Sequence, residues 1–183
     1  MDAAESALQA TRAWVEHAVI GLNLCPFAKA VQVKGQLRYA CSQARDTDTL
    51  RAELRAELQW LAGTPAEQLE TTLLVHPWVL QDFLDYNDFL DEADALLVDM
   101  GLEGTLQIAS FHPQYRFAGT HAGDIENATN RSPHPTLHLL REASIERALA
   151  AFPEAEAIYE TNMRCLRALG PAGWAALRAH WQG

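Results

Sequence analysis

The stretch Thr71-Thr-Leu-Leu-Val-His-Pro77 is the part of the sequence that says most about the fold. Its β-branched and leucine residues favour a buried strand over 71–75, and Pro77 ends it because proline donates no hydrogen bond to a sheet. On both sides, apolar residues recur at helical spacing, over 48–62 before the strand and 82–100 after it. We therefore predict a strand with one helix on each side.

Two more strands are predicted outside these helices, over 37–42 and 105–110. The order strand, helix, strand, helix, strand favours parallel pairing with right-handed crossovers. The predicted fold class is α/β, with a small, mostly parallel β-sheet (a βαβαβ core) and additional N-terminal and C-terminal helices. At this length, residues 1–183 are expected to form a single globular domain.

The additional helices lie at the two ends of the chain. Apolar spacing predicts an amphipathic helix over 3–21, and Pro26 suits the first position of a short second helix. Residues 136–182 return to a helical pattern, in which Pro153 and Pro171 are each expected to open a helix.

Composition and charge narrow the function classes. The formal net charge is −10, with 24 acidic residues against 14 Lys plus Arg, so the surface on average repels nucleic acid. We predict no nucleic-acid partner and, because no apolar run reaches the length of a membrane span, no membrane partner. The N-terminus lacks a signal peptide pattern, and there is no C-x-x-C, so we expect a cytoplasmic, thiol-reduced protein with three free cysteines: Cys25, Cys41 and Cys165.

The candidate site lies in the aperiodic loop over 111–135 and the residues that follow it. The stretch from Ser110 to Glu142 contains four of the seven histidines and three of the eight prolines. A long loop of this kind in a compact domain is often functional. It also leaves the carboxyl end of a predicted strand, where ligands bind in open α/β sheets.

Anion binding is the first of three chemistries that this loop could support. If Thr136 is the N-cap of a helix, free backbone N–H groups point at a ligand there. Arg131 offers a planar fork for an oxyanion, and His138 and Arg141 would share one helix face. The structural alternative is that Arg131 and Arg141 pair with the acidic helix over 82–99.

Thiol and metal chemistry are the other two. Cys25 would be a helix N-cap if Pro26 opens the helix, and His112 or His138 could activate its thiol; the alternative is a buried, inert cysteine. The loop also holds acceptable metal ligands, but their spacing matches no metal motif. We expect no bound metal and no cofactor.

The sequence resembles the domain of unknown function 1415 family over nearly its whole length. The resemblance rests on four stretches: Leu22-Asn-Leu-Cys-Pro-Phe-Ala28, Asp82-Phe-Leu-Asp-Tyr-Asn87, Phe111-His-Pro-Gln-Tyr-Arg-Phe117 and the residues from Asn127 to Glu142. One departure is His134, which stands between two prolines where the family pattern has tyrosine. The resemblance implies an uncharacterised, mainly bacterial protein and no particular reaction.

These observations favour an enzyme that acts on a small anionic metabolite, with the reaction unspecified. The candidate catalytic residues are His112, His138 and Cys25. The candidate substrate-binding residues are Arg116, Asn127, Asn130, Arg131, Ser132 and Arg141. The alternative is a non-catalytic ligand- or protein-binding module in which the polar loop is structural and an exposed tail with Trp174 and Trp181 supplies an interface. The sequence leaves a homo-oligomer open.

Overall fold

Four strands form one sheet in a computed structural model that describes residues 2–152 and 154–182. The strands are β1 (Leu37–Cys41), β2 (Thr71–Val75), β3 (Leu106–Phe111) and β4 (Thr136–Arg141). The helices are α1 (Ala3–Trp14), which continues as a π-helix over Val15–Ile20, α2 (Ala28–Val33), α3 (Thr47–Gly63), α4 (Phe83–Asp99), α5 (Glu142–Ala151) and α6 (Ala155–Arg178). A 3-10 helix spans Ile125–Asn130.

The sheet is mixed, so the prediction of a mostly parallel sheet is wrong. The strand order is β1-β2-β4-β3, with β1 parallel to β2 and with β4 antiparallel to both of its neighbours. The three predicted strands do point the same way, but β4 lies between β2 and β3. Thr136 is therefore the first residue of a strand and not a helix N-cap. The strand forms because alternate residues, Leu137 and Leu139, are buried on one face.

Each face of the sheet packs against helices. The apolar sides of α3 and α4 cover one face and form a core with Leu74, Leu106, Leu137 and Leu139. Both helices begin at an aspartate, Asp46 or Asp82, whose carboxylate accepts a hydrogen bond from a first-turn backbone N–H. The other face packs against α1 and α6.

The terminal segments differ from the sequence predictions in two places, and a third prediction cannot be compared. The short helix begins at Ala28 and not at Pro26, so Cys25 lies outside it and is not an N-cap. Pro153, which is expected to open a helix, lies outside the described residues. Trp174 and Trp181 are buried, at 6% and 8% exposure, and do not form an exposed tail.

The helix expected to open at Pro171 does change direction there, because Gly170 adopts φ 68° and ψ 174° inside α6. The positive φ suits glycine, which has no Cβ to clash. Within the described residues, no helix is both long and apolar enough to cross a membrane.

Candidate functional site

Histidines gather at one edge of the sheet, where β2 and β3 end and β4 begins. His76 follows β2, His112 follows β3, and His134 lies two residues before the start of β4. This edge is the one that the sequence predicted for the site. Its histidines nevertheless have different environments.

His112 is buried, and both of its ring nitrogens have partners. Nδ1 accepts from the Gln114 backbone N–H at 3.0 Å, so the ring proton is on Nε2, which donates to the Leu80 carbonyl at 3.2 Å. Burial lowers its pKa. The ring also packs beside Phe83 and Tyr86. His112 thus attaches the loop to the connection between β2 and α4 and offers no free nitrogen to a ligand.

The two loop asparagines also bond to the protein itself. Asn127 accepts from the Phe117 backbone N–H at 2.9 Å and donates to the His121 carbonyl at 2.8 Å. Asn130 donates to the Ser110 carbonyl at 3.0 Å. Both side chains hold the loop in shape. Their predicted ligand contacts would have to use the remaining capacity of each amide.

Two of the arginines predicted to bind substrate, Arg116 and Arg141, lie outside the cleft that the loop lines. Arg141 donates to backbone carbonyls around the end of α3, those of Leu61, Thr64 and Leu69. It does not pair with the acidic helix α4. Arg116 is exposed on the loop surface.

Arg131 lines a polar cleft of about 550 Å³ between the loop and the C-terminal segment. We call this the polar cleft. The loop contributes Pro113, Arg131, Ser132, Pro133 and His134 to its wall. The remaining lining residues come from the two ends of the chain: Ser6, Trp174, Arg178, Trp181 and Gln182. None of these residues carries a negative charge. The cleft therefore brings two guanidinium groups together without an acidic side chain in its wall.

The two cleft arginines are held by neutral groups. Arg131 donates from Nε to the Tyr115 carbonyl at 3.1 Å and from Nη2 to the Ala122 carbonyl at 2.7 Å. Arg178 Nε lies 3.1 Å from the side-chain amide of Gln182, whose oxygen accepts from it when the amide is oriented to satisfy the arginine. Burial, and then the positive charge of Arg178, lower the pKa of Arg131. In residues 2–152 and 154–182, neither arginine has a carboxylate oxygen within 4.0 Å.

The loop side of the cleft is shaped by one carbonyl. The His134 carbonyl accepts from Ser132 Oγ at 2.6 Å and from Thr136 Oγ1 at 2.9 Å. His134 is among the residues that line the cleft, and burial lowers the pKa of its imidazole. The cleft wall therefore includes a histidine with a lowered pKa beside two arginines.

Cys25 and His138 line a different space, which we call the apolar cavity. It measures about 380 Å³, and its wall is almost entirely apolar, with Trp14, Phe27, Leu73 and Phe111 among its residues. His138 is on β4, and its side chain points to the sheet face opposite Leu137 and Leu139. The structure therefore does not bring His112, His138 and Arg131 into one cleft.

The sequence did not identify Arg178, Gln182 or the cleft role of His134. Arg178 lies on an exposed helix position far along the chain and is brought to the loop only because α6 packs against the 3-10 helix. No local spacing signals that contact. Among the residues that the structure describes, no three His, Cys, Asp or Glu side chains converge as metal ligands would.

The fold and its cavities define a mixed α/β protein with one polar, arginine-lined cleft at a sheet edge and one apolar cavity against a sheet face. The chain belongs to the family of proteins of unknown function DUF1415, whose family model matches residues 6–176. The resemblance seen in the sequence is thereby confirmed. Neither the curated proteins nor the solved structures contain a match to the chain.

Proposed function

We propose that the protein is an enzyme that acts on a small anionic metabolite bound in the polar cleft. Arg131 and Arg178 would bind the anion, and His134 would transfer a proton. The observation that carries the proposal is the pair of arginines that line one cleft and have no carboxylate partner among the described residues.

The overall charge makes this pair unusual. Acidic residues outnumber Lys plus Arg by 24 to 14, so carboxylates are plentiful as partners for cations. Two guanidinium groups placed together repel each other, and burial of Arg131 adds a desolvation cost. A bound anion removes both penalties, since a guanidinium can contact two oxygens of a carboxylate or phosphate at once.

His134 and the tryptophans supply the rest of a small-molecule site. A neutral imidazole can accept a proton from a bound substrate and return it later. Trp174 and Trp181 meet edge to face, with ring centroids 5.8 Å apart, and offer an apolar wall to the carbon part of a metabolite. Few polar groups beside an aromatic wall are typical of metabolite pockets.

Binding is tested by calorimetry with phosphate, sulfate and small phosphorylated or carboxylated metabolites at constant ionic strength. Arg178→Gln removes one cleft cation from an exposed position and should weaken binding about tenfold or more, because a hydrogen bond to a charged group contributes roughly 1.5–3 kcal/mol. Arg164→Gln is the matched control: it is exposed on the same helix, outside the cleft. Equal affinities for the two variants would refute the site.

Catalysis is tested separately from binding. The protein is incubated with a mixture of anionic metabolites, and mass spectrometry follows which of them is consumed. His134→Gln should abolish consumption while the calorimetric affinity changes little. Binding without any consumption would instead favour the non-catalytic module, in which the loop side chains such as Asn127 serve only to hold the cleft in shape.

A further inference from the structure

His138 lines the apolar cavity, and the position of its ring proton follows from the hydrogen bonds of Thr71. Thr71 Oγ1 lies 2.6 Å from the Leu139 carbonyl oxygen, which can only accept, so the single hydroxyl proton of Thr71 is used there. Thr71 Oγ1 also lies 2.7 Å from His138 Nε2 and must therefore accept from it. The ring proton of His138 is thus on Nε2.

The other ring nitrogen of His138 is then a bare acceptor. Burial lowers the pKa of His138 to about 4, so the ring is neutral at pH 7 and Nδ1 carries a lone pair. No group in the described part of the chain donates to Nδ1. Because His138 lies in the middle of an inner strand, the accessible part of its ring faces the cavity.

We propose that the apolar cavity is a second binding site, which takes an uncharged, largely apolar small molecule and fixes it by one donated hydrogen bond, from a ligand hydroxyl or N–H to His138 Nδ1. The volume of about 380 Å³ lies within the range of small-molecule pockets, roughly 300–1,000 Å³. This site is independent of the polar cleft and of any reaction there.

The chemistry of the wall excludes anions from this site. A carboxylate placed at the histidine would meet the Nδ1 lone pair and find no donor. Arg141 borders the cavity, but its guanidinium donates to three backbone carbonyls around the end of α3, on the other side of the sheet. Glu70 also lines the cavity and would repel a negative charge. A phenol or alcohol, in contrast, gains one hydrogen bond and buries its carbon atoms.

Three matched probes test the proposal on the unmodified protein: para-propylphenol, its methyl ether para-propylanisole, and para-propylbenzoate. Calorimetry should show the phenol binding about three- to tenfold more tightly than the ether, as expected for one neutral hydrogen bond. The benzoate should not bind in this cavity. Equal affinities for all three probes, or no binding of the phenol, would overturn the proposal.

Two kinds of variant locate the binding. His138→Phe keeps the ring volume and removes the acceptor, so it should bring the phenol affinity down to that of the ether. Ala148→Trp fills the cavity and should abolish binding of both, whereas Ala150→Trp, exposed on the same helix α5 and outside the cavity, should not. A phenol-to-ether ratio that survives in His138→Phe would contradict the role of Nδ1.

Cys25 provides a readout that depends on location and not on affinity alone. Cys25 is among the residues that line the cavity, whereas Cys165 is not. Saturating para-propylphenol should slow iodoacetamide labelling of Cys25 and leave Cys165 unchanged, as measured by peptide mass mapping. Labelling of Cys25 at the same rate with and without the phenol would place the phenol elsewhere and overturn the proposal.

Discussion

Replacing Arg141 with methionine tests how the end of β4 is attached to the rest of the protein. The Arg141 guanidinium donates to the carbonyls of Leu61 (2.8 Å), Thr64 (2.6 Å) and Leu69 (2.8 and 3.2 Å). Leu61 is in the last turn of α3, and Thr64 follows the helix directly. Arg141 therefore satisfies carbonyls at a helix C-terminus, where a positive charge is also favoured by the helix dipole.

The expected cost is large for a single substitution. A hydrogen bond to a charged group contributes roughly 1.5–3 kcal/mol, but the three contacts share one guanidinium and are not additive. We expect Arg141→Met to lower the free energy of unfolding by about 3 kcal/mol. At roughly 2–4 °C per kcal/mol for a protein of this size, Tm should fall by about 6–12 °C.

Urea unfolding followed by circular dichroism at neutral pH measures this change. Arg147→Met is the control, because Arg147 pairs with Glu70 at 3.5 Å through a side chain that is 66% exposed. Such surface pairs contribute roughly 0–1 kcal/mol. A loss below about 1 kcal/mol for Arg141→Met, or equal losses for both variants, would refute the capping role and restore ligand binding as the explanation for this arginine.

Three further predictions concern stability and reactivity. Tyr86→Phe should lower the free energy of unfolding by about 1–3 kcal/mol in urea titrations, because the hydroxyl donates to the Thr136 carbonyl (2.8 Å) and accepts from the Phe111 N–H (3.0 Å); unchanged stability would contradict this. Burial lowers the pKa of His76 and of His138 to about 4 in the folded protein, whereas a histidine of the unfolded chain has a pKa near 6.5. Between about pH 4 and 6.5 the unfolded chain therefore binds more protons than the folded protein. Stability present above pH 6.5 should therefore be lost as pH falls through that window, and urea midpoints at pH 7 and 5 should depend less on pH in His138→Gln than in the native chain. Burial, with Asp2 and Glu53 nearby, raises the pKa of the Cys41 thiol to about 11. Cys41 should therefore be the slowest of the three cysteines to react with iodoacetamide at pH 8. Faster labelling of Cys41 than of Cys25 would contradict this prediction.

The three strands and two helices over 37–110 can be predicted from the sequence because each carries a local signal. Leu50, Leu54, Leu58 and Leu61 recur on one side of α3 and are all fully buried, and an aspartate begins each helix. β4 lacks such a signal. The short run from Thr136 to Leu140 fits a strand or a helix equally well, and the preceding proline is typical of a helix start.

The candidate site was predictable in part for the same reason. Arg131 and Ser132 stand out because the loop concentrates polar residues after a strand, and both line the polar cleft. The partner arginine, Arg178, reaches the cleft through packing of α6, which no local pattern specifies. His138 could not be assigned to its own cavity because its strand had been predicted as a helix.

The register of β4 is what separates the two cavities. Thr136 Oγ1 bonds to the His134 carbonyl and so anchors the loop at the polar cleft, while two residues further His138 faces the apolar cavity. Successive side chains of a strand point to opposite faces, so a slip of one residue would turn His138 into the leucine core against α3 and α4. The buried Leu137 and Leu139 oppose that slip because each would leave this core. The hydrophobic alternation of one inner strand therefore positions a neutral acceptor in one cavity and the arginine-bearing loop at the other.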